Sequence, residues 1–161
     1  MGLELMLTNR VPPSRAPLFT EYFNITEIAI MAKDFDLSQF ETVDTATLTV
    51  LNPKGDELLV DGSPVTINLY GPGSKQFVNA KYKLENASQA RSIAMLRGKT
   101  SKNAAEETRQ QQAEFYAAVT SSVNNFPIDG GALALYLNPK LNYITEQVEK
   151  FLSDTENFMP S

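Results

Sequence analysis

The sequence predicts an α+β fold: a small antiparallel β-meander followed by about three packed α-helices, behind an irregular N-terminal segment. Two patterns predict it. Between Thr45 and Tyr70 apolar residues recur at every second position, as on a strand with one buried face. Beyond Gly73 they recur at the three- and four-residue spacing of a helix.

The first strand alternates Ala46, Leu48 and Val50 with Thr45, Thr47 and Thr49. Asn52-Pro53-Lys54-Gly55-Asp56 then has turn chemistry, since proline fixes φ and glycine accepts a positive one. Glu57 to Val60 reads as a short second strand, and Asp61-Gly62 as a tight hairpin turn. Val65, Ile67 and Leu69 alternate with Thr66, Asn68 and Tyr70 in a third strand. Such a meander needs a layer packed on its apolar face.

Helices supply that layer. Gly71-Pro72-Gly73 breaks the strand and Ser74 is a good N-cap. Phe77, Ala80, Leu84 and Ala87 recur at helical spacing, Ile93, Ala94 and Leu96 follow, and Gly98 is the expected end. A second helix is expected from about Asn103 to Asn125, with a stripe of Ala104, Phe115, Ala118, Val119 and Val123. Phe126-Pro127 ends it, and Asp129-Gly130-Gly131 connects to an apolar segment, Ala132 to Leu137, of either type. Asn138-Pro139 reads as N-cap and first position of the last helix, whose apolar face is Leu141, Ile144, Val148, Phe151 and Leu152.

Residues 1–30 differ from the rest. Val11-Pro12-Pro13 and Pro17 exclude a continuous helix, and Met31-Ala32-Lys33-Asp34 has the look of a fresh start. The expected organisation is an N-terminal extension, 1–30, irregular or derived from an upstream start codon, and a single α+β domain, 31–161.

Composition narrows the function. At 161 residues the chain is long enough for one real core. It has no run of about 18 apolar residues, so no membrane span is expected, and Met1 to Pro13 has no basic region ahead of an apolar core, so no secretory signal is expected. The net charge of −5 argues against a nucleic-acid partner. The local basic group Arg91, Arg97, Lys99 and Lys102 fits a helix C-terminus, where the dipole favours cations. With no His and no Cys, the commonest proton shuttle and the strongest nucleophile are missing. A Ser-Lys or carboxylate enzyme stays open in principle, but no arrangement of either kind is recognisable. The expectation is a non-enzyme with no catalytic, cofactor-binding or metal-binding residues, and no cofactor.

Several motifs have a structural reading. Gly71-Pro72-Gly73-Ser74 lacks the Gly-Lys-Ser/Thr of a phosphate loop, and Gly98-Lys99-Thr100 has Ile93 where that motif needs glycine. Glu106-Glu107 and Asp154 with Glu156 read as solvated charge. Asp34 and Asp36 lack the glycine and terminal glutamate of a calcium loop. Tyr82, Tyr116 and Tyr143 fall off the main stripes, and would form a protein-binding patch if exposed together.

One stretch, from Pro64 to Phe158, carries a family likeness. Pro64-Val65-Thr66-Ile67 leads to Tyr70-Gly71-Pro72-Gly73-Ser74 and a helix rich in Ala, Lys and Arg. A Glu/Gln/Ala helix with Ala113-Glu114-Phe115 follows, then Leu135-Tyr136-Leu137-Asn138-Pro139-Lys140-Leu141, Ile144, Glu146-Gln147-Val148-Glu149 and Asp154-Thr155-Glu156-Asn157-Phe158. This order resembles the tail assembly chaperones of long-tailed bacteriophages, over roughly three-fifths of the chain. The resemblance implies a protein of the infected bacterial cytoplasm that binds tail tube protein and/or tape measure protein during assembly and is absent from the mature virion. It also implies a possible homo-oligomer and, in many such systems, a longer frameshifted product. The partner-binding face expected on this reading is Leu141, Ile144, Val148 and Phe151 on the last helix, against the simpler reading that this face is core. Rival readings are a structural virion protein of the tail, such as a tube, terminator or connector subunit, and a small regulatory binding module.

Overall fold

Thr45–Thr49 (β1) is the strand that the alternation predicts: Ala46 and Leu48 are half-buried and Val50 is buried, while Thr45 and Thr47 are exposed. The computed structural model describes residues 37–99 and 102–160, all within the unit Leu37–Ser161. The expected extension 1–30, the expected start at Met31 and the Asp34/Asp36 pair lie outside the described residues.

After β1 the Asn52 turn forms as its chemistry requires. The Asn52 side-chain oxygen accepts from the Lys54 and Asp56 amides at 2.8 and 3.1 Å. The next strands, Leu59–Val60 (β2) and Ser63–Pro64 (β3), make a two-residue ladder around Asp61 and Gly62. Both turn residues have positive φ, 50° and 77°, which is the type I′ geometry that Asp-Gly favours.

The main sheet is not a meander. Its order is β1, Thr66–Tyr70 (β4), Thr120–Asn124 (β5), all antiparallel, and β2–β3 form a separate ribbon. β4 is central because Val65, Ile67 and Leu69 are at most 1% exposed. Its edges are taken by β1 (Thr45 opposite Tyr70, Thr49 opposite Thr66) and by β5 (Thr66 opposite Asn124). The segment expected as a middle strand reaches the sheet at an isolated bridge, Glu57 opposite Leu51, and at Leu58, whose amide bonds the Val50 carbonyl and whose carbonyl accepts from the Val65 amide, both at 2.8 Å.

β5 is also a departure from the helix expected through Asn125. That helix stops at Val119, and Thr120 turns extended at once, with φ −91° and ψ 117°. Thr120-Ser121-Ser122-Val123 is a poor helical run, of β-branched and short hydroxyl residues that bond the backbone instead. Thr120 Oγ1 donates to the Tyr116 carbonyl at 2.8 Å, and Val123 lies opposite Ile67 in the sheet. On the solvent face, Asn68 accepts from Thr47 at 2.7 Å and donates to Ser122 at 2.9 Å, tying all three strands together.

Helix α1, Lys75–Leu96, begins where Ser74 predicts. The buried Ser74 hydroxyl accepts from the Phe77 amide at 3.2 Å and donates to the Gly71 carbonyl at 2.7 Å. It ends in a Schellman motif: Gly98, φ 71°, donates to the Met95 carbonyl, and Lys99 to that of Ala94. Helix α2, Ala104–Val119, runs back along α1, with Phe77 edge-on to Phe115 at 5.6 Å and Arg91 donating to Thr108 Oγ1. The segment of open type is a short helix, α3, Gly131–Leu137. Asn138 accepts from the Lys140 amide at 3.0 Å, and a 3-10 turn, Pro139–Leu141, leads into α4, Asn142–Ser153. Thus an α+β fold holds, with a small antiparallel sheet and several packed helices. The core gathers Val50, Val65, Ile67 and Leu69 of the sheet with Val119, Leu135, Ile144, Val148 and Phe158.

Candidate functional site

The last helix is drawn inward. Ile144 is 1% exposed and Val148 0%, Leu152 is buried beside them, and Leu141 and Phe151 are half-buried against the same core. The face Leu141, Ile144, Val148 and Phe151 therefore covers the sheet layer rather than facing solvent. Its strong segregation of apolar residues is what a helix covering a sheet requires. The three tyrosines do not meet on the surface. Tyr82 is exposed, but Tyr116 and Tyr143 are half-buried, and the Tyr116 ring stands 5.4 Å from Phe115 and 5.6 Å from Tyr136.

Around that aromatic row two phenols are perturbed. Tyr116 is pushed up to about 12, first by burial and then by the charge of Glu149 and a hydrogen bond to it. Tyr136 is pushed up to about 12 by burial, against the pull of a hydrogen bond with Thr120 Oγ1, 2.7 Å away. Both are neutral at pH 7, with Tyr116 donating to the Glu149 carboxylate and Tyr136 sharing a hydrogen bond with Thr120 in which either hydroxyl can donate. Arg109 donates to the Leu137 carbonyl nearby, which occupies its charge in holding the end of α3.

The motifs that invited chemical readings are filled by structure. A Cβ on Gly71 would lie 2.7 Å from the Phe158 ring and 2.8 Å from the Val43 carbonyl, and one on Gly73 would lie 2.8 Å from Thr42 Oγ1. The turn before α1 is thus covered by protein, and its serine caps the helix. Glu106 and Glu107 occupy the first turn of α2, where the dipole favours anions. Among the described residues no group of three or more His, Cys, Asp or Glu is placed to hold a metal ion. No helix among them is long and apolar enough to cross a membrane.

The exposed apolar surface lies on α1. Of its 22 residues only Ala80 is buried. At about 3.6 residues per turn, Phe77, Ala80, Leu84, Ala87, Arg91 and Ala94 share the side toward α2, and each is buried or half-buried. Val78, Tyr82, Ile93 and Leu96 fall on the opposite side and are 38, 61, 49 and 88% exposed. A cleft of about 130 Å³ runs between α1 and α2, lined by Leu84, Ala87, Gln111 and Phe115, with Lys83 and Glu114 paired at 3.6 Å on its rim.

Ile93, Ala94 and Leu96 follow the stripe of Phe77, Ala80, Leu84 and Ala87 in sequence, but only Ala94 shares its side. Counting turns separates them: Ile93 and Leu96 are eleven and fourteen residues beyond Tyr82, which is about three and four full turns. That signal was present in the spacing. What spacing alone did not tell was which side α2 would take.

No protein-family model, curated protein or solved structure matches this chain.

Proposed function

We propose that this chain is a non-catalytic assembly factor, a tail assembly chaperone of a long-tailed bacteriophage. On this reading it binds tail tube protein and/or tape measure protein in the cytoplasm of the infected bacterium and is left out of the finished virion. The resemblance between Pro64 and Phe158 is what supports this reading. The observation that carries the binding role is the outward face of α1, where Val78, Tyr82, Ile93 and Leu96 stand exposed on a single side.

A chaperone must cover partner surface and then release it, so a few anchor residues on a modest area suit the task better than a wide apolar interface. Val78 to Leu96 spans about 27 Å of helix at 1.5 Å per residue. Each large aliphatic side chain buried there contributes about 1.5–3 kcal/mol, so a handful gives binding that a growing tail tube can displace. The face can be covered and uncovered without disturbing the core, because the opposite side of α1 holds α2. The α4 face lacks that freedom, since Ile144 and Val148 cannot leave without opening the core.

Quantitative mass spectrometry of infected-cell lysate and purified virions tests the role. Abundance in lysate with absence from particles is the expected result. A fixed integral copy number in particles would make it a structural tail component instead. Recovery of tail tube or tape measure protein on the tagged chain, lost in the Ile93→Asp/Leu96→Asp variant, tests the surface.

A further inference from the structure

We infer that the edge of β1 left open among the described residues pairs with the same edge of a second copy of this chain, across a two-fold axis through Thr47. The chaperone reading allows a homo-oligomer but names no interface, and this one rests on the strand geometry alone. The backbone of β1 alternates between its neighbours. The Asp44 carbonyl accepts from Gly71 at 2.8 Å and the Val50 amide donates to Val65 at 2.9 Å, so even-numbered residues bond toward β4. The amides and carbonyls of Thr45, Thr47 and Thr49 therefore point to the other side, where β1 is the outermost strand among the described residues.

Both ends of this open window are closed within the chain. Beyond Thr45, the Val43 amide donates to the Phe158 carbonyl at 2.7 Å. Beyond Thr49, the Leu51 amide and carbonyl are both held by the Gln147 side chain, at 2.8 and 2.9 Å. The window is centred on Thr47, and its sequence is symmetric in character about that residue: Thr45-Ala46-Thr47-Leu48-Thr49.

This symmetry selects the occupant. An antiparallel copy sets Thr47 against Thr47, Thr45 against Thr49, and Ala46 against Leu48. Each facing threonine pair exchanges both of its N–H···O bonds. Threonines meet threonines on the solvent face, and a small residue meets a large one on the core face. A cleft beside the edge places Leu51 and Phe151 next to the half-buried Leu48, with Lys150 and Asp154 also in its lining. No charged residue stands between Thr45 and Leu51, although the chain carries −5 overall, so the strands themselves bring no like charges into the pairing. Exposed edges are ordinarily guarded by a charge, a proline or a bulge. The opposite edge strand, β5, has a register irregularity, whereas β1 pairs regularly along its length.

The test is sedimentation velocity on the full chain over a concentration series, with far-UV circular dichroism on each variant. The wild type is expected to double its mass as concentration rises. Thr45→Lys with Thr49→Lys places cations opposite one another in both outer pairs and should weaken the dimer at least about tenfold. Thr45→Lys with Thr49→Glu places opposite charges in those same pairs and should retain it. The Lys/Lys variant mixed with a Thr45→Glu/Thr49→Glu variant should form a heterodimer, which shows that both are folded. Ile93→Asp with Leu96→Asp should leave the dimer intact. A wild type monomeric up to about 0.5 mM overturns the inference. So does a larger assembly, or a dimer on which the Lys/Lys and Lys/Glu variants have the same effect.

Discussion

Gln147 pairs with Leu51 as a neighbouring strand would. Its Oε1 accepts the Leu51 amide at 2.8 Å and its Nε2 donates to the Leu51 carbonyl at 2.9 Å, so a side-chain amide on α4 finishes the edge of β1. The same Nε2 also reaches the Tyr143 carbonyl at 3.1 Å. The contact joins residues 96 positions apart and fixes α4 against the sheet. Gln147→Ala removes the pair, and the expected cost is about 1–2 kcal/mol, because the freed Leu51 groups can turn to water. Gln147→Glu keeps the acceptor and loses the donor, so it should fall between the two. Urea unfolding of the three proteins checks the order.

Phe158 and Gly71 form a second long-range lock. The Phe158 ring is fully buried, stands 5.5 Å from the Phe151 ring, and lies against Gly71 where any side chain would collide. Phe158→Ala should cost about 3–5 kcal/mol through lost burial and the cavity left behind. Gly71→Ala should cost about 1–3 kcal/mol by overpacking against the ring and the Val43 carbonyl. The two changes together should cost less than their sum, because the cavity from the first accommodates the methyl of the second. Equilibrium unfolding of the double-mutant cycle measures that coupling.

Local signals were legible and non-local ones were not. Ser74, Gly98, Asp61-Gly62 and Asn138-Pro139 act within a few residues of themselves, and each does in the fold what its chemistry dictates. β5 was hidden because Val123 lies four residues after Val119, a spacing that fits a helix, while its true partner, Ile67, sits in β4 more than 50 residues earlier. The meander failed for the same reason, since nothing near Glu57–Val60 records that β4 already has two neighbours. For α4 the apolar face of Leu141, Ile144, Val148 and Phe151 is legible in the spacing, but amphipathicity is the same whether the covering layer is the chain's own sheet or another protein. Burial decides that, and it depends on the whole fold.

The phenols of Tyr116 and Tyr136 set an alkaline limit. Both are raised from 10.0 to about 12, with burial the largest cause in each. A raised value keeps the folded chain protonated where the unfolded chain ionises. The stabilisation is therefore fully present below pH 10 and is lost as pH rises through about 12. The urea midpoint should fall across that interval, and phenolate absorbance should appear together with unfolding for these two residues. Tyr136→Phe should flatten part of the decline, while lowering stability at neutral pH through loss of the bond to Thr120.

Paired aspartate substitutions on α4 and α1 separate core from surface. Ile144→Asp with Val148→Asp places two carboxylates where the side chains are 1% and 0% exposed and no cation is positioned to pair with them among the core residues. The penalty for unpaired buried charge is several kcal/mol per ion, comparable to the whole stability of a small domain, about 5–15 kcal/mol. The expected outcome is loss of the cooperative unfolding transition. Ile93→Asp with Leu96→Asp acts on side chains that are 49% and 88% exposed, so each change should shift stability by no more than about 0.5 kcal/mol. Partner recovery should fall in both variants, but only in the α1 variant with the thermal transition intact. An α1 variant that keeps full partner binding would move the binding surface elsewhere, because Ile93 and Leu96 are the anchors on which this face depends. An α4 variant that stays folded and loses its partner would return the interface to α4, and would mean that helix can undock without opening the sheet layer beneath it.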